Sequence, residues 1–266
     1  MINCDIYNDD CFNVFASKIK DNSIDLVLCD LPYQQIAQKW DIKLDLDRLW
    51  EEYNRILKKG GIVLLFSSGT FTYELYNSNP KQYKYKLIWE KNTPSGMNSV
   101  RYRPMKYYEE IMVFQKGLTK FITYNPIMKP RKQGKTTYCY SDKYTHHCTS
   151  NNHIPNELKK IDKVYDIDWV QPSDVLKFNV VNNRLKIHPT QKPVDLLEYL
   201  IKTYSNEGDM ILDNCMGSGS TVEACINTNR NCIGIEKDIK IFDIAEKRLQ
   251  GLNNDANSIL ITSYRK

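Results

Sequence analysis

Met210-Ile211-Leu212-Asp213-Asn214-Cys215-Met216-Gly217-Ser218-Gly219-Ser220-Thr221 is a short apolar strand that breaks at a carboxylate and runs into a glycine turn. A helix through Ala224 to Ile226 follows, and then a second apolar strand, Cys232 to Ile235, closed by Glu236. Strand, glycine turn, helix, strand is a βαβ unit, the building block of a parallel sheet covered by helices. A Gly-x-Gly turn at this junction lets a ligand approach the backbone closely. An acid about 20 residues further on, at the end of the next strand, can accept both hydroxyls of a ribose. Glu236 has that place.

The turn lacks the third glycine of the dinucleotide fingerprint, and the chain has no Gly-Lys-Ser/Thr of a phosphate loop. A nucleoside cofactor without pyrophosphate therefore fits better, and S-adenosylmethionine is one. On this reading Glu236 holds its ribose, Asp213 and the turn Gly217-Ser218-Gly219-Ser220-Thr221 its methionine end, Asp10 with Cys11 its adenine, and Lys192 beside Thr190 its carboxylate.

Working outward, the run Ile24-Asp25-Leu26-Val27-Leu28-Cys29 reads as another buried strand, and it ends in Asp30-Leu31-Pro32-Tyr33. Open α/β sheets bind ligands at the carboxyl ends of their strands. A carboxylate, a backbone carbonyl, a stiffening proline and an aromatic ring at that edge suit transfer to a planar exocyclic amine. Two acceptors gripping the amine hydrogens favour its pyramidal, reactive form, while the ring stacks on the base. Asp30 and the Leu31 carbonyl are the candidate acceptors, and Tyr33 the candidate stacking ring.

The remaining elements fall into the same alternation. Ile2 to Tyr7 alternates like a strand and precedes Asp10-Cys11 and a helical stretch from Phe12 to Ile19. Leu46, Leu49, Trp50, Tyr53, Ile56 and Leu57 recur at helical spacing, with Gly60-Gly61 as the expected stop. Ile62 to Phe66 predicts a buried strand whose polar end, Ser67 to Thr70, forms a loop at the site's edge. Strands at Tyr85 to Trp89 and Glu110 to Phe114 bracket a loop carrying Arg101, Arg103 and Lys106. In His188-Pro189-Thr190-Gln191-Lys192-Pro193, the second proline suits the first turn of a helix through Ile201. Ile241, Ile244, Ala245 and Leu249 mark a last helix.

Charge is concentrated in one segment. The chain of 266 residues carries a formal +5, yet residues 115–184 hold twelve Lys or Arg against six Asp or Glu. That stretch lacks helical periodicity and is rich in Lys, Tyr, Thr, Asn and Pro, so it reads as an insert with little core of its own that faces a polyanion. Its Lys129, Arg131, Lys132 and Lys135, with Arg101 and Arg103 of the earlier loop, are the candidate nucleic-acid contacts. The eight cysteines show no paired short spacing and read as buried thiols of a reducing compartment. Cys139, His146, His147, Cys148 and His153 match no paired zinc-ligand pattern, so no metal is expected. With no apolar run near the ~20 residues of a membrane span and no signal pattern, a cytoplasmic protein is expected.

The order Asp10-Cys11, Asp30-Leu31-Pro32-Tyr33, insert, His188 to Pro193, Asp213 to Thr221, Gly234-Ile235-Glu236 resembles the β group of DNA amino-methyltransferases, over nearly the whole chain. The resemblance implies a Rossmann-like α/β fold with a mostly parallel seven-stranded sheet and permuted motif order. It divides the chain into a catalytic half (1–114), a target-recognition insert (115–184) and a cofactor half (185–266). It implies S-adenosylmethionine as donor, duplex DNA as partner and adenine N6 as acceptor, since the tetrad begins with Asp, where members acting on cytosine N4 more often have Ser. A cognate restriction endonuclease and a homodimer are compatible with it. Cytosine N4, or a homologue that binds DNA without turnover, are the alternative readings. Two departures stand out: Leu31 replaces the usual first proline, and Asn214-Cys215 stands where Pro-Phe is usual.

Overall fold

The central parallel strands are apolar runs buried on both sides, as sheets covered by helices require. The computed structural model describes residues 2–32, 44–117, 123–130, 138–141, 146–149, 169–182, 186, 191–253 and 259–266. Along the chain come β1 (Ile2–Asn8), α1 (Cys11–Lys18), β2 (Ile24–Cys29), α2 (Leu46–Ile56), β3 (Leu57–Ser67), α3 (Thr70–Ser78), β4 (Tyr83–Ser95) and β5 (Lys106–Gln115). Four short strands follow, β6 (Lys129–Pro130), β7 (Tyr138–Ser141), β8 (His146–Thr149) and β9 (Trp169–Val170), then β10 (Val175–Lys177). The last third holds α4 (Val194–Tyr204), β11 (Met210–Asp213), α5 (Ser220–Asn227), β12 (Asn231–Ile235), α6 (Ile239–Asn253) and β13 (Ile259–Arg265).

Two compact units result, one of Met1–Asn125 with Asp174–Lys266, the other of Pro126–Ser173. In the second, β6 pairs with β9 and β7 with β8, both antiparallel. The first is built on a nine-stranded sheet in the order β10-β4-β5-β3-β2-β11-β12-β1-β13. Only β5 runs against its two neighbours. The sheet thus has two strands more than the seven expected, and both are outermost. Val175–Lys177, within the span read as insert, joins β4 in parallel and buries Leu176. Ile259–Arg265 runs the full length of β1, Ile2 opposite Ile259 through Asn8 opposite Arg265.

Side chains alternate across the sheet. Leu26, Leu28, Ile62, Leu64 and Phe66 pack on one face with Leu197 of α4, Val222 of α5 and Phe242 of α6. Val27, Cys29, Val63 and Leu65 pack on the other with Phe15 of α1, Trp50 and Tyr53 of α2 and Leu75 of α3. Three local expectations are corrected. The α2 helix stops at Ile56 instead of reaching Gly60, because Leu57 gives its N–H to the Tyr53 carbonyl and its backbone already pairs with Ile24 of β2. Ser67 to Thr70 is no extended loop, since Thr70 begins α3. Pro193 caps α4 from outside, with ψ at 133°, and the first turn starts at Val194.

Candidate active site

Beyond β11 the chain turns through α5 to β12 on one side, while beyond β2 it turns through α2 to β3 on the other. Strands β2 and β11 are therefore the topological switch point, where the carboxyl edge of an open sheet forms a crevice. Asp30 follows β2 and Asp213 ends β11, so the two acids meet at that crevice. Glu236 follows β12 and Asp10 lies two residues beyond β1, extending the acidic row along the same edge.

Around the glycine turn, the positive φ of Gly217 (53°) and Gly219 (78°) is what L side chains rarely adopt. Beside Gly217 a Cβ would meet nothing within 4 Å, so the backbone there is open to a ligand. The Gly217 N–H donates to Glu236 Oε2 at 3.1 Å and the Asp238 N–H to Oε1 at 2.8 Å. Burial nevertheless pushes the Glu236 carboxyl up to about 7, against those two donors. Asp213 is pushed up to about 6, also by burial, opposed by the Thr221 hydroxyl and the Cys215 N–H. Ser220 is turned toward the protein: Arg248 of α6 donates to its Oγ at 2.9 Å and to the Ser218 carbonyl at 3.3 Å, pinning the turn from below. Two acids and an open backbone approach at adjacent strand ends fit a nucleoside donor with a charged tail.

Asp10 caps α1 by accepting the Phe12 N–H at 3.0 Å, and its other oxygen meets Lys237 Nζ at 3.0 Å. Cys11 is buried beneath it. A cleft of about 580 Å³ opens beside this cap, lined by Phe12, Asn13, Arg48 and Lys237 among others.

The Asp30 carboxylate is held on one side only. Its Oδ2 accepts from Lys192 Nζ, while Oδ1 is buried and has no hydrogen-bond partner among the described residues. Burial raises the Asp30 pKa, and the Lys192 charge opposes the rise. Lys192 was expected at the carboxylate of the cofactor; in the structure it spans Asp30 and Glu109 Oε2, 3.6 Å away, with its ammonium 4.9 Å from the Phe66 ring centre. Glu109 in turn accepts from Lys91 Nζ at 2.5 Å. Sequence reasoning missed Lys91 and Glu109. Both strands carry several charges, Lys84, Lys86 and Glu90 besides Lys91 and Lys106 and Glu110 besides Glu109, so nothing in the sequence singled these two out. Arg101 and Arg103 are exposed in the turn between β4 and β5, and Lys129 is exposed on β6. Tyr33, Thr190, Arg131, Lys132 and Lys135 lie outside the described residues, as does His153, and the side chains of Cys139, His146, His147 and Cys148 are likewise not described.

The family model for DNA methylases of the N6/N4 class matches residues 24–247. The chain belongs to the DNA methylase family. The type II methyltransferase M.HpaI of Haemophilus parainfluenzae is 29% identical to the methylase over 269 residues, covering 94% of this chain and 76% of the relative. The DNA adenine methyltransferase YhdJ of Escherichia coli (strain K12) is 27% identical over 248 residues, covering 87% and 78%. Among solved structures, the M1.HpyAVI–SAM complex matches with a TM-score of 0.61 at 25% identity, over 92% of this chain and 99% of that one. The resemblance drawn from motif order, the Rossmann-like fold and the S-adenosylmethionine dependence it carried therefore stand.

Both departures from the usual motifs are absorbed by packing. Leu31 is 2% exposed and belongs to the core cluster that includes Leu49 and Tyr53, so burial holds the turn where a proline ring is missing. Asn214 is buried and its Oδ1 accepts from the Tyr53 hydroxyl of α2 at 2.6 Å. A polar residue there costs little, because its acceptor is satisfied.

Proposed function

We propose that the methylase transfers a methyl group from S-adenosylmethionine to the N6 amine of an adenine flipped out of duplex DNA. The observation that carries this reading is Asp30 Oδ1, a buried carboxylate oxygen at the sheet's switch point without a hydrogen-bond partner among the described residues. Leaving such an acceptor unsatisfied costs about 1–3 kcal/mol, which an incoming amine N–H recovers. The Leu31 carbonyl is the second acceptor, and Pro32 and Tyr33 complete the floor for the base. Flipping costs a few kcal/mol, drawn from contacts to the rest of the duplex. Asp30 and Leu31 then orient the amine for attack, and positioning supplies much of the rate.

When bound, S-adenosylmethionine would supply an electrophilic methyl group with a neutral thioether as its leaving group. The surplus proton on nitrogen passes to the Asp30 carboxylate. Glu236 is assigned to the ribose, Asp10 with Cys11 to the adenine of the cofactor, and Asp213, Ser218, Ser220 and Thr221 to shaping the turn around its methionine end. Lys192 is better assigned to Asp30, which it already engages. Adenine is favoured over cytosine by Asp at the head of the tetrad and by the similarity to YhdJ, a DNA adenine methyltransferase.

The test is mass spectrometry of nucleosides from a methylation-deficient host expressing the chain. N6-methyladenine is expected; N4-methylcytosine would reassign the acceptor. In the Asp30→Ala variant, transfer should fall by at least about 100-fold while cofactor binding persists. Near-full turnover in that variant would sink the amine-acceptor role.

A further inference from the structure

A chain of four charges, Lys91 buried and Glu109, Lys192 and Asp30 partly buried, the last 26% exposed in its side chain, is supplied by β4, β5, the segment ahead of α4 and the end of β2. Signs alternate along it, so it is neutral as a whole. Lys91 and Lys192 keep only 7% and 12% of their side-chain surface, and Glu109 19%. Aromatic rings flank both cations, Trp89 with its centre 5.1 Å from the Lys91 ammonium and Phe66 beside Lys192. Burying four ionised groups is expensive unless each is compensated, and a network of this kind is weak evidence for stability alone. Its far end, Asp30, follows β2 at the crevice and has an oxygen without a hydrogen-bond partner among the described residues.

We propose that Lys91 and Glu109 are positioning residues for methyl transfer: through Lys192 they fix the Asp30 carboxylate so that Oδ1, not Oδ2, is offered to the acceptor amine. The inference rests on the reading of Asp30 given above. Lys192 bridges two carboxylates, and Glu109 limits how far it can move onto Asp30. Lys91 in turn compensates Glu109, which would otherwise stand as a second anion beside Asp30. Among the described residues, Asp213 of β11 and the thiols of Cys29 and Cys215 also stand near Asp30, and Lys106 of β5 acts on Glu109. None of these takes part in the chain of ion pairs.

The two residues act on Asp30 with opposite sign: Glu109 raises its pKa and Lys91 lowers it. Burial pushes Glu109 up, but Lys192 and Lys91 outweigh that and hold it below the usual range. Asp30 must be ionised to accept the amine, so the acid limb of the kcat–pH profile reports its state in the bound complex.

The experiment compares the full-length chain with Lys91→Met, Glu109→Gln and Asp30→Asn. Initial rates are measured on duplex DNA from a methylation-deficient host with tritiated S-adenosylmethionine. For both network variants, kcat is expected to fall roughly 10-fold or more with KM for cofactor and DNA nearly unchanged. The acid limb moves in opposite directions, up for Lys91→Met and down for Glu109→Gln, by about half a pH unit or more. A purely structural role would give no such antisymmetry. Should Lys91→Met fail to fold, Glu109→Gln, which keeps shape and one acceptor oxygen for Lys91, still decides by the direction of its limb. If Asp30→Asn is inactive while both network variants match the wild type, or both limbs move the same way, the inference falls alone. If Asp30→Asn remains active, the reading of Asp30 falls with it.

Discussion

Glu236 shows how one side chain can work against the fold for the sake of a ligand. Its carboxyl is raised to about 7 by burial, so the ionised form is disfavoured in the free protein. For an acid whose folded pKa lies above its unfolded value, the stabilising contribution is full below the unfolded pKa and is lost as pH rises through the folded one. Between about pH 4.5 and 7 the fold therefore loses roughly 3 kcal/mol through this group. Glu236→Gln should raise the stability of the ligand-free protein at pH 8, as read by denaturant unfolding, and weaken S-adenosylmethionine binding roughly 10-fold or more by calorimetry. In the wild type, affinity should fall as pH drops below about 7, since a protonated Glu236 accepts fewer hydroxyl hydrogens. A flat affinity between pH 6 and 8 would separate Glu236 from the ribose. Tyr53 makes a complementary case: it satisfies the buried Asn214 oxygen, so Tyr53→Phe should cost about 1–3 kcal/mol, more than the loss of an exposed hydroxyl.

Among elements, the glycine turn ahead of α5 has little tolerance at its second glycine. Gly219 has φ at 78°, and a Cβ there would stand 3.3 Å from the Ala245 Cβ of α6. Gly219→Ala therefore combines a left-handed backbone with a tight contact and should destabilise by about 1–2 kcal/mol, measurable as a lowered denaturation midpoint. This turn was also the most legible part of the sequence. An apolar strand, two glycines and a distant acid obey local rules, and so do β2, β3 and α2, whose periodicities are strong. What stayed hidden depended on partners far along the chain. The strand Ile259–Arg265 alternates only loosely, and its identity comes from seven residues of β1 beside it. The α3 helix follows a Ser-Ser-Gly stretch that locally looks like loop, and is held by Phe71 and Leu75 in the core under α2. The switch-point acids were found as motif residues, but the Lys91–Glu109 chain feeding one of them was not, because strand periodicity says nothing about which charge meets which.

At the scale of the molecule, charge and fold are divided between different stretches of chain. Residues outside 115–184 carry the nine-stranded sheet almost entirely and are close to neutral, while that span holds twelve basic residues against six acidic ones. Among the described residues no helix is long and apolar enough to cross a membrane. Lys129, exposed on β6, and Arg101 and Arg103, exposed on the hairpin turn of the main unit, are the described members of the proposed phosphate-contacting set. Each neutralised phosphate releases condensed counterions, so affinity falls with salt in proportion to the number of contacts. For about five phosphates, the slope of log affinity against log salt is about −4.5. Lys129→Ala and Arg101→Ala should each weaken binding at every sequence alike and reduce that slope by roughly 0.9, whereas Asp30→Asn should leave it unchanged. Fluorescence anisotropy on a labelled duplex at several salt concentrations measures all of these. A slope near zero in the wild type would show that the basic span does not hold DNA by its phosphates. An unaltered slope in Lys129→Ala with a lowered one in Arg101→Ala would move the grip from the second unit to the β4–β5 turn.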